Sequence, residues 1–201
     1  MKKLGFNIVL LGASASGKNT QADILKGKYS LKFIETGLYS RKLLKEKSKN
    51  GNWARRTVSK GKPLPVILLK KFLTREINNK PKNKNLLFLG GPRLKPEAQL
   101  LKKMLDEKKQ DFIVFYINLP EKEVYLRSEK RRKGNMKAVY KVLDSEKIIK
   151  ARIDYYKKQV SKTVKYFKSL NKLKMINGNQ SIPKVTKDIL REIEKYKKEI
   201  K

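Results

Sequence analysis

A strand, a turn of small residues and a helix start follow one another near the amino end of the chain, in the segment NIVLLGASASGKNTQ. The apolar run from Ile8 to Leu11 predicts a buried parallel strand, and Lys18 begins a predicted helix. Between them, the residues from Gly12 to Gly17 are all small, so successive backbone N–H groups can turn inward around phosphate oxygens. The helix N-terminus and the Lys18 ammonium add positive charge. The segment therefore predicts a phosphate-binding loop.

The end of this loop departs from the general G-x-x-x-x-G-K-[ST] pattern, because Asn19 stands where that pattern has a hydroxyl residue. The hydroxyl comes one residue later, at Thr20, and Gln21 follows. This order resembles the G-K-G-T-Q ending of adenylate kinases and related nucleoside monophosphate kinases. The resemblance implies that ATP contacts the whole loop, which comprises Gly12, Ala13, Ser14, Ala15, Ser16, Gly17, Lys18, Asn19 and Thr20.

A secretory leader is the alternative interpretation of the first residues, since MKKL is followed by apolar residues and by the small-residue sequence Ala13-Ser14-Ala15. Asn7 interrupts the apolar region, which is short. If the segment were cleaved off as a leader, the matching motifs farther along the chain would also lose the phosphate-binding loop that is their partner. The phosphate-binding interpretation is therefore favoured.

Cysteine and histidine are both missing from the chain. Their absence excludes disulfide bonds, a cysteine-ligated zinc, a histidine base and a cysteine nucleophile. Any catalysis must therefore depend on Lys, Arg, carboxylates, hydroxyls and bound ions. The 201 residues can bury one sizeable core, and no run approaches the ~20 apolar residues that a membrane helix needs. We expect one domain, in the reducing cytoplasm, without a membrane contact.

Positive charge is the most unusual feature of the composition, with 52 Lys and Arg against 18 Asp and Glu and a formal net charge of +34. RNA, ribosomes or an anionic membrane would be attracted to such a chain. The charge is spread along the whole sequence, without a basic tail or an aromatic-interleaved RNA-binding signature. Non-specific contact with nucleic acid is therefore expected ahead of a dedicated nucleic-acid surface.

The segment ETGLYSR, residues 35–41, follows the predicted second strand and resembles the T-G-x-x-x-R element of adenylate kinases. The resemblance implies that Thr36 and Arg41 hold the phosphate of the acceptor, AMP. Without the resemblance, Thr36 would be interpreted as a helix N-cap and Arg41 as a surface residue. The spacing from the phosphate loop favours the functional interpretation.

Two further segments match elements that contact the acceptor nucleoside. In the segment GKPL, the resemblance implies that Lys62 and Leu64 touch the acceptor base and ribose, although Pro63 lacks the backbone donor of other residues. Glu97 stands at the position of a base-reading Gln or Glu. It is equally a typical acidic residue in the first turn of a helix, and the sequence leaves both interpretations open.

A third apolar strand, Leu86 to Leu89, leads into a segment that resembles the D-G-x-P-R element of the family. The resemblance places Gly90 and Arg93 at the acceptor, with Arg93 on its phosphate. Leu89 stands where the family has an Asp that orients magnesium-bound water. The apolar side chain of Leu89 offers no oxygen to a magnesium-bound water.

The helix predicted over residues 121–132 ends in the cluster Lys130-Arg131-Arg132-Lys133. A run of charges is usually a solvated surface, but the resemblance places it at the entrance of a lid, with Arg131 closing over the triphosphate and Arg127 assisting. Lys141 and Arg152 match lid arginines that contact the transferring and acceptor phosphates. Lys141 lacks the bidentate grip of arginine. The segment NGNQ, which ends at Gln180, resembles a family loop that lies beneath the adenine of the donor.

Periodicity predicts the remaining elements. Strands are expected to begin at Leu31, Phe112 and Leu173, and helices to cover residues 18–29, 40–49, 53–60, 65–77, 121–132 and 182–200. One predicted core stripe of the helix after the lid contains Ile149, Ile153, Tyr156, Val160, Val164 and Phe167.

The alternation of strands and helices predicts a three-layer α/β fold with a parallel five-stranded sheet, for which the resemblance implies the strand order 2-3-1-4-5. We expect one kinase domain, with an acceptor-binding excursion at about residues 36–65 and a short lid at about residues 131–144. The resemblance implies a monomer that converts ATP and AMP to two ADP, with Mg²⁺ held mainly by the nucleotide phosphates and by Thr20. Other acceptors, a catalytically weakened nucleotide-binding relative, and a basic RNA- or ribosome-associated scaffold remain the alternatives.

Overall fold

The computed structural model describes residues 2–58, 60, 62–134 and 146–200, with the backbone alone at residues 146–148, 151, 152, 156 and 157. Strands and helices alternate along it, as the sequence predicts. The elements, in chain order, are β1 (Asn7–Gly12), α1 (Lys18–Lys28), β2 (Leu31–Glu35), α2 (Thr36–Lys45), α3 (Lys49–Val58), α4 (Val66–Asn78), β3 (Asn85–Leu89), α5 (Lys95–Asp106), β4 (Phe112–Asn118), α6 (Glu121–Lys133), α7 (Glu146–Tyr155), a π-helical segment (Tyr156–Val160), α8 (Ser161–Ser169), β5 (Leu173–Asn177) and α9 (Ile182–Glu199).

The five strands form one sheet in the order β2-β3-β1-β4-β5, and every pair is parallel. The predicted fold and strand order are therefore confirmed. Each connection between neighbouring strands carries a helix, as parallel pairing requires. All carboxyl ends of the strands meet at one edge of the sheet, where ligands bind in folds of this class.

Side chains of the central strand alternate between two apolar layers. Val9 and Leu11 pack on one side of the sheet with α4 and α5, and Ile8 and Leu10 pack on the other side with α1 and α9. All four side chains are almost completely buried. Burial of both faces explains why residues 8–11 of β1 form a continuous apolar run.

The structure corrects the predicted bounds of two helices. The first of them begins at Thr36, directly after β2, and ends at Lys45. The next begins at Lys49 and ends at Val58. Gly51, near its start, lets the backbone approach the end of the preceding helix closely. A Cβ atom at Gly51 would lie 2.2 Å from the backbone oxygen of Glu46. The second of these helices also carries the only tryptophan of the sequence, Trp53, with its side chain exposed.

Helical backbone continues from α7 through the π-helical segment into α8. Ile149, Ile153, Val160 and Phe167 are buried, as predicted. Val164 was expected in the core but is only half-buried. The five-residue π segment shifts the helical register between α7 and α8, so one regular stripe cannot describe both.

A polar cluster closes the opposite edge of the sheet. The Tyr196 hydroxyl lies 2.7 Å from Oδ2 of Asp111 and 3.0 Å from the backbone oxygen of Phe112. Lys172 Nζ lies 2.6 Å from both Asp111 Oδ1 and the Tyr196 oxygen. These contacts join β4, β5 and α9 far from the carboxyl ends of the strands. Within the described ranges, no helix is both long enough and apolar enough to cross a membrane.

Candidate nucleotide-binding site

A cleft of about 900 Å³ opens at the carboxyl ends of the strands. Its floor is the phosphate loop, residues 12–17, together with the first turn of α1. Its walls come from the ends of β2, β3 and β4 and from helices α2, α6, α7 and α8. All nine residues predicted to hold ATP in the loop line this cleft.

Backbone geometry forms the loop into an open ring. Gly12 has a φ of +148°, and a Cβ atom there would lie 2.6 Å from both the Ile117 backbone oxygen and the Ser16 hydroxyl. Gly17 has a φ of +88° and immediately precedes α1. Glycine is the residue that adopts both conformations at low cost. The N-terminus of α1 therefore faces the cleft, with its unpaired N–H groups available to an anion.

Lys18 lies folded over this ring. Its Nζ atom lies 2.8 Å from the backbone oxygen of Gly12, 2.5 Å from that of Ala13 and 3.1 Å from the Ser16 hydroxyl. Burial, with the charges of Arg93 and Arg131, lowers the pKa of Lys18 to about 7. A phosphate beside Lys18 would favour the charged ammonium and raise this pKa again.

Ala15 is the one residue of this loop other than glycine with a positive φ, at +56°. Residues with a Cβ atom are strained in the left-handed region. We expect Ala15→Gly to increase the free energy of unfolding by about 1 kcal/mol, and urea denaturation would measure it. As a control, Ala22→Gly, at a buried position of α1, should destabilise the protein. An unchanged or lower stability of Ala15→Gly would show that the loop does not store this strain.

Two arginines of α6 approach the loop from the side. Arg131 Nη2 lies 3.0 Å from the Ser14 hydroxyl. Arg127 is held by an ion pair with Glu123, at 3.3 Å, and by the backbone oxygen of Gly178, at 3.3 Å. Both arginines line the cleft. The structure therefore brings both predicted donor arginines to the cleft, and Arg131 contacts the phosphate loop itself.

Arg93 faces the loop from the opposite wall. Its Nε atom lies 2.8 Å from the backbone oxygen of Gly90, and the described residues give its Nη1 and Nη2 atoms no hydrogen-bond partner. Arg93 and Arg41 line both the main cleft and a smaller adjoining pocket of about 70 Å³. A phosphate at this junction would meet both guanidinium groups.

The smaller pocket collects the other residues predicted for the acceptor. Thr36, Lys62, Leu64, Gly90 and Glu97 all line it. Thr36 is the first residue of α2 and its hydroxyl lies 3.3 Å from the backbone oxygen at the end of β3. The N-cap interpretation of Thr36 is wrong, because the residue before it occupies the cap.

Glu97 is buried, with 2% of its surface exposed, and its Oε2 atom accepts hydrogen bonds from two backbone N–H groups. These belong to Arg93, at 2.6 Å, and Leu94, at 3.2 Å. Burial raises the pKa of Glu97, although both N–H groups favour its charged form. The structure thus supports the helix-start interpretation of this residue and leaves its contact with a base as a prediction.

For three predicted site residues, the structure describes no side chain at the cleft. Gln180 lines neither pocket, because its amide nitrogen is bound to Asp188 Oδ2 at 2.7 Å. Lys141 and most of the predicted lid lie outside the described residues. Arg152 belongs to α7, for which only the backbone is described at that position.

Several cleft residues escaped the sequence analysis. Tyr155 and Lys165 project from the α7–α8 wall, and Tyr116 and Met175 come from neighbouring strands. Burial, with a smaller effect of the Glu97 charge, raises the pKa of Tyr155 to about 12. The paired tyrosines after Arg152 offered a signal for Tyr155, whereas Lys165 is one of many lysines and offered none.

Carboxylates are sparse at the cleft. Among the described residues, no group of three or more potential metal ligands occurs. Glu35 lines the cleft and lies opposite Leu89 in the β2–β3 register. Thr20 supplies a hydroxyl from the first turn of α1. This donor set fits a Mg²⁺ ion that arrives with a nucleotide and keeps phosphate and water ligands, because Mg²⁺ commonly binds through one or two protein oxygens.

Comparison with known proteins identifies extensive similarity. The family model for adenylate kinase matches residues 10–172. An adenylate kinase of Bacteroides fragilis is 33% identical over 189 residues, covering 94% of this chain and 98% of the relative. An adenylate kinase of Bacteroides thetaiotaomicron is 33% identical over 190 residues with the same coverage. One from Fusobacterium nucleatum is 26% identical over 207 residues.

Proposed function

The chain belongs to the adenylate kinase family, and from this membership we propose that it transfers the γ-phosphoryl group of ATP to AMP, giving two ADP. One observation supports the assignment of residues: Lys18, Arg93 and Arg131 come from separate elements and line the same cleft. The charges of Arg93 and Arg131 both act on Lys18. Like charges are held together in this way where an anion is to be bound.

The transferring phosphoryl group is loosely bonded and highly anionic in its transition state, so the protein has mainly to position two nucleotides and supply positive charge. Lys18 and the loop N–H groups hold the donor phosphates, with Arg131 and Arg127 beside them. Arg41 and Arg93 hold the acceptor phosphate. This arrangement requires no side-chain base, which agrees with a chain that lacks histidine and cysteine.

Arg152 and Lys141 complete the proposed phosphate contacts, and lid closure over residues 131–144 would exclude water from the transfer. Thr36, Lys62, Leu64, Gly90 and Glu97 would surround the acceptor nucleoside, and Gln180 the donor base. These roles rest on the matching motifs. Within this proposal the protein acts as a cytoplasmic monomer.

The deciding experiment is an assay of ADP formation from ATP with AMP, UMP, CMP and GMP in turn, with and without magnesium. We expect AMP to be the best acceptor and magnesium to be required. A different preferred acceptor would change the assigned substrate. ATP binding without transfer to any of the four would favour a nucleotide-binding relative with little or no catalytic activity.

Magnesium is the proposed cofactor, and Thr20 and Glu35 are the cleft groups suited to it. When bound with ATP, it would neutralise part of the phosphate charge. Leu89 offers no oxygen, and Glu35 lies directly across from it on the neighbouring strand. We propose that Glu35 serves the metal or its bound water from this position.

We expect Glu35→Gln to raise the magnesium concentration for half-maximal activity by about tenfold, because one carboxylate near the metal is lost. Leu89→Asp should lower that concentration or raise kcat. Magnesium titrations of both variants would test this, with Glu121→Gln, which changes another cleft carboxylate, as the matched control. Unchanged magnesium dependence in all three variants would show that the nucleotide phosphates hold the metal without help from Glu35 or from residue 89.

A polyanion-binding role is the second candidate, and the net charge of +34 favours it. Every helix carries Lys or Arg, so the charge is distributed over the fold. Dispersed cations neutralise phosphates without distinguishing bases. We expect binding to labelled single-stranded RNA to be weak, insensitive to its sequence and lost by ~200 mM salt in fluorescence anisotropy. Binding that survives this salt and exceeds that of a scrambled RNA would favour a dedicated scaffold function.

A further inference from the structure

The backbone of Arg93 is fixed on both sides of the residue. Its N–H group donates to Glu97 Oε2 at 2.6 Å, and its carbonyl oxygen accepts from the Thr163 hydroxyl at 2.9 Å. The side chain is fixed as well, through Nε and the backbone oxygen of Gly90. Arg93 lines both the main cleft and the smaller pocket, and the described residues give its two terminal guanidinium nitrogens no hydrogen-bond partner.

Thr163 reaches this carbonyl from another part of the fold. It lies on α8, its side chain is completely buried, and 70 positions of sequence separate it from Arg93. The helical backbone of α8 is continuous with that of α7, which carries Arg152 and Tyr155. The Thr163 hydroxyl is therefore a direct link between the acceptor-phosphate loop and the helix that forms the far wall of the cleft.

We propose that Thr163 is a positioning residue for the acceptor phosphate, which acts by holding the Arg93 carbonyl against α8 so that the guanidinium group keeps its place at the cleft. This inference rests on the proposed role of Arg93 in binding AMP. Thr163 itself lines neither the main cleft nor the smaller pocket. Its influence on the substrate therefore passes through Arg93.

The geometry favours a functional role over general stabilisation of the fold. The hydrogen bond ends on the backbone of a loop residue, between the end of β3 and the start of α5. The surrounding apolar core has its own buried contacts between α5 and α8. Loss of the hydroxyl would leave a carbonyl unpaired at the residue that grips the substrate, where a displacement of about 1 Å can change reactivity a hundredfold.

Thr163→Val removes the donor and keeps the shape of the side chain, and Thr163→Ser keeps the donor. We expect Thr163→Val to weaken AMP binding about tenfold in isothermal titration calorimetry and to raise KM for AMP in the ADP-forming assay by a similar factor. ATP affinity should change less than about twofold. Thr163→Ser should restore AMP binding to within about threefold of wild type.

The matched control is Tyr196→Phe, which removes another buried hydroxyl that contacts a backbone carbonyl, at the opposite edge of the sheet. It should lower the melting temperature and leave AMP affinity unchanged. Equal AMP affinity in wild type and Thr163→Val, or equal losses for ATP and AMP, would overturn the proposal. Failure of the serine variant to recover binding would also overturn it.

Calorimetry keeps this test separate from that of the enzymatic activity. Wild-type protein that binds AMP but forms no ADP would contradict the proposed function, and the Thr163 variants would still decide the positioning role. Wild-type protein that binds no AMP would overturn both. Active wild-type protein with no selective effect of Thr163→Val would overturn the positioning role alone.

Discussion

Replacement of Lys18 by alanine is expected to lower the rate of phosphoryl transfer roughly a thousandfold, because it removes a positive charge from the position where the donor phosphates meet the loop. The fold should remain intact. Lys18 is held by its own loop, with bonds to two backbone carbonyls and the Ser16 hydroxyl. Its lowered pKa shows that the charged form is disfavoured in this surrounding. The ammonium is therefore expected to contribute little to the stability of the fold, in agreement with its proposed role in binding the donor phosphates.

Steady-state kinetics and thermal unfolding would be measured together for this variant. Lys187→Ala, at an exposed position of α9, is a matched control that removes the same charge away from the cleft. It should retain wild-type activity. If Lys18→Ala stayed within tenfold of wild type and remained folded, Lys18 would not stabilise the transferring group.

Removal of the Arg93 side chain should selectively damage use of the acceptor. We expect Arg93→Ala to lower kcat/KM for AMP about a hundredfold, because a guanidinium that can bind phosphate through two hydrogen bonds is lost. ATP affinity should fall far less. Arg93 also lowers the pKa of Lys18, so its removal relieves a repulsion at the donor loop.

A comparison of KM for both substrates, with direct titration of ATP and AMP, would test this assignment. Arg132→Ala is the matched control, since Arg132 is exposed near the end of α6 and lines neither pocket. Arg93→Lys would keep the charge without the planar fork and should recover only part of the loss. Equal losses of ATP and AMP binding in Arg93→Ala would show that the assignment of Arg93 to the acceptor phosphate is wrong.

Local patterns in the sequence were sufficient for the sheet and for the phosphate loop. The apolar run from Ile8 to Leu11 within β1 predicts helices on both faces of the sheet, and the small residues before Lys18 predict a phosphate-binding turn. The order of strands came from the family resemblance and is confirmed. The positions of Arg127 and Arg131 at the cleft follow from the same order of motifs.

Local patterns in the sequence do not predict contacts between distant parts of the chain. Gly51, near the start of α3, packs closely on the end of the helix before it, and hydrophobic periodicity does not predict this contact. The hydrogen bond from Thr163 to Arg93 crosses 70 positions. Gln180 follows a strand end as expected, but Asp188 of α9 binds its amide. Such pairings are products of tertiary packing and become visible only in the folded chain.

Trp53 gives the proposed acceptor-binding segment its own fluorescence signal. It is the only indole in a chain that also has nine tyrosines, and it lies on α3 with 42% of its surface exposed. Excitation selective for indole therefore reports on this helix alone, without a dye or an engineered label. Emission wavelength and quenching would follow solvent access at α3 in real time, independently of the turnover of any substrate.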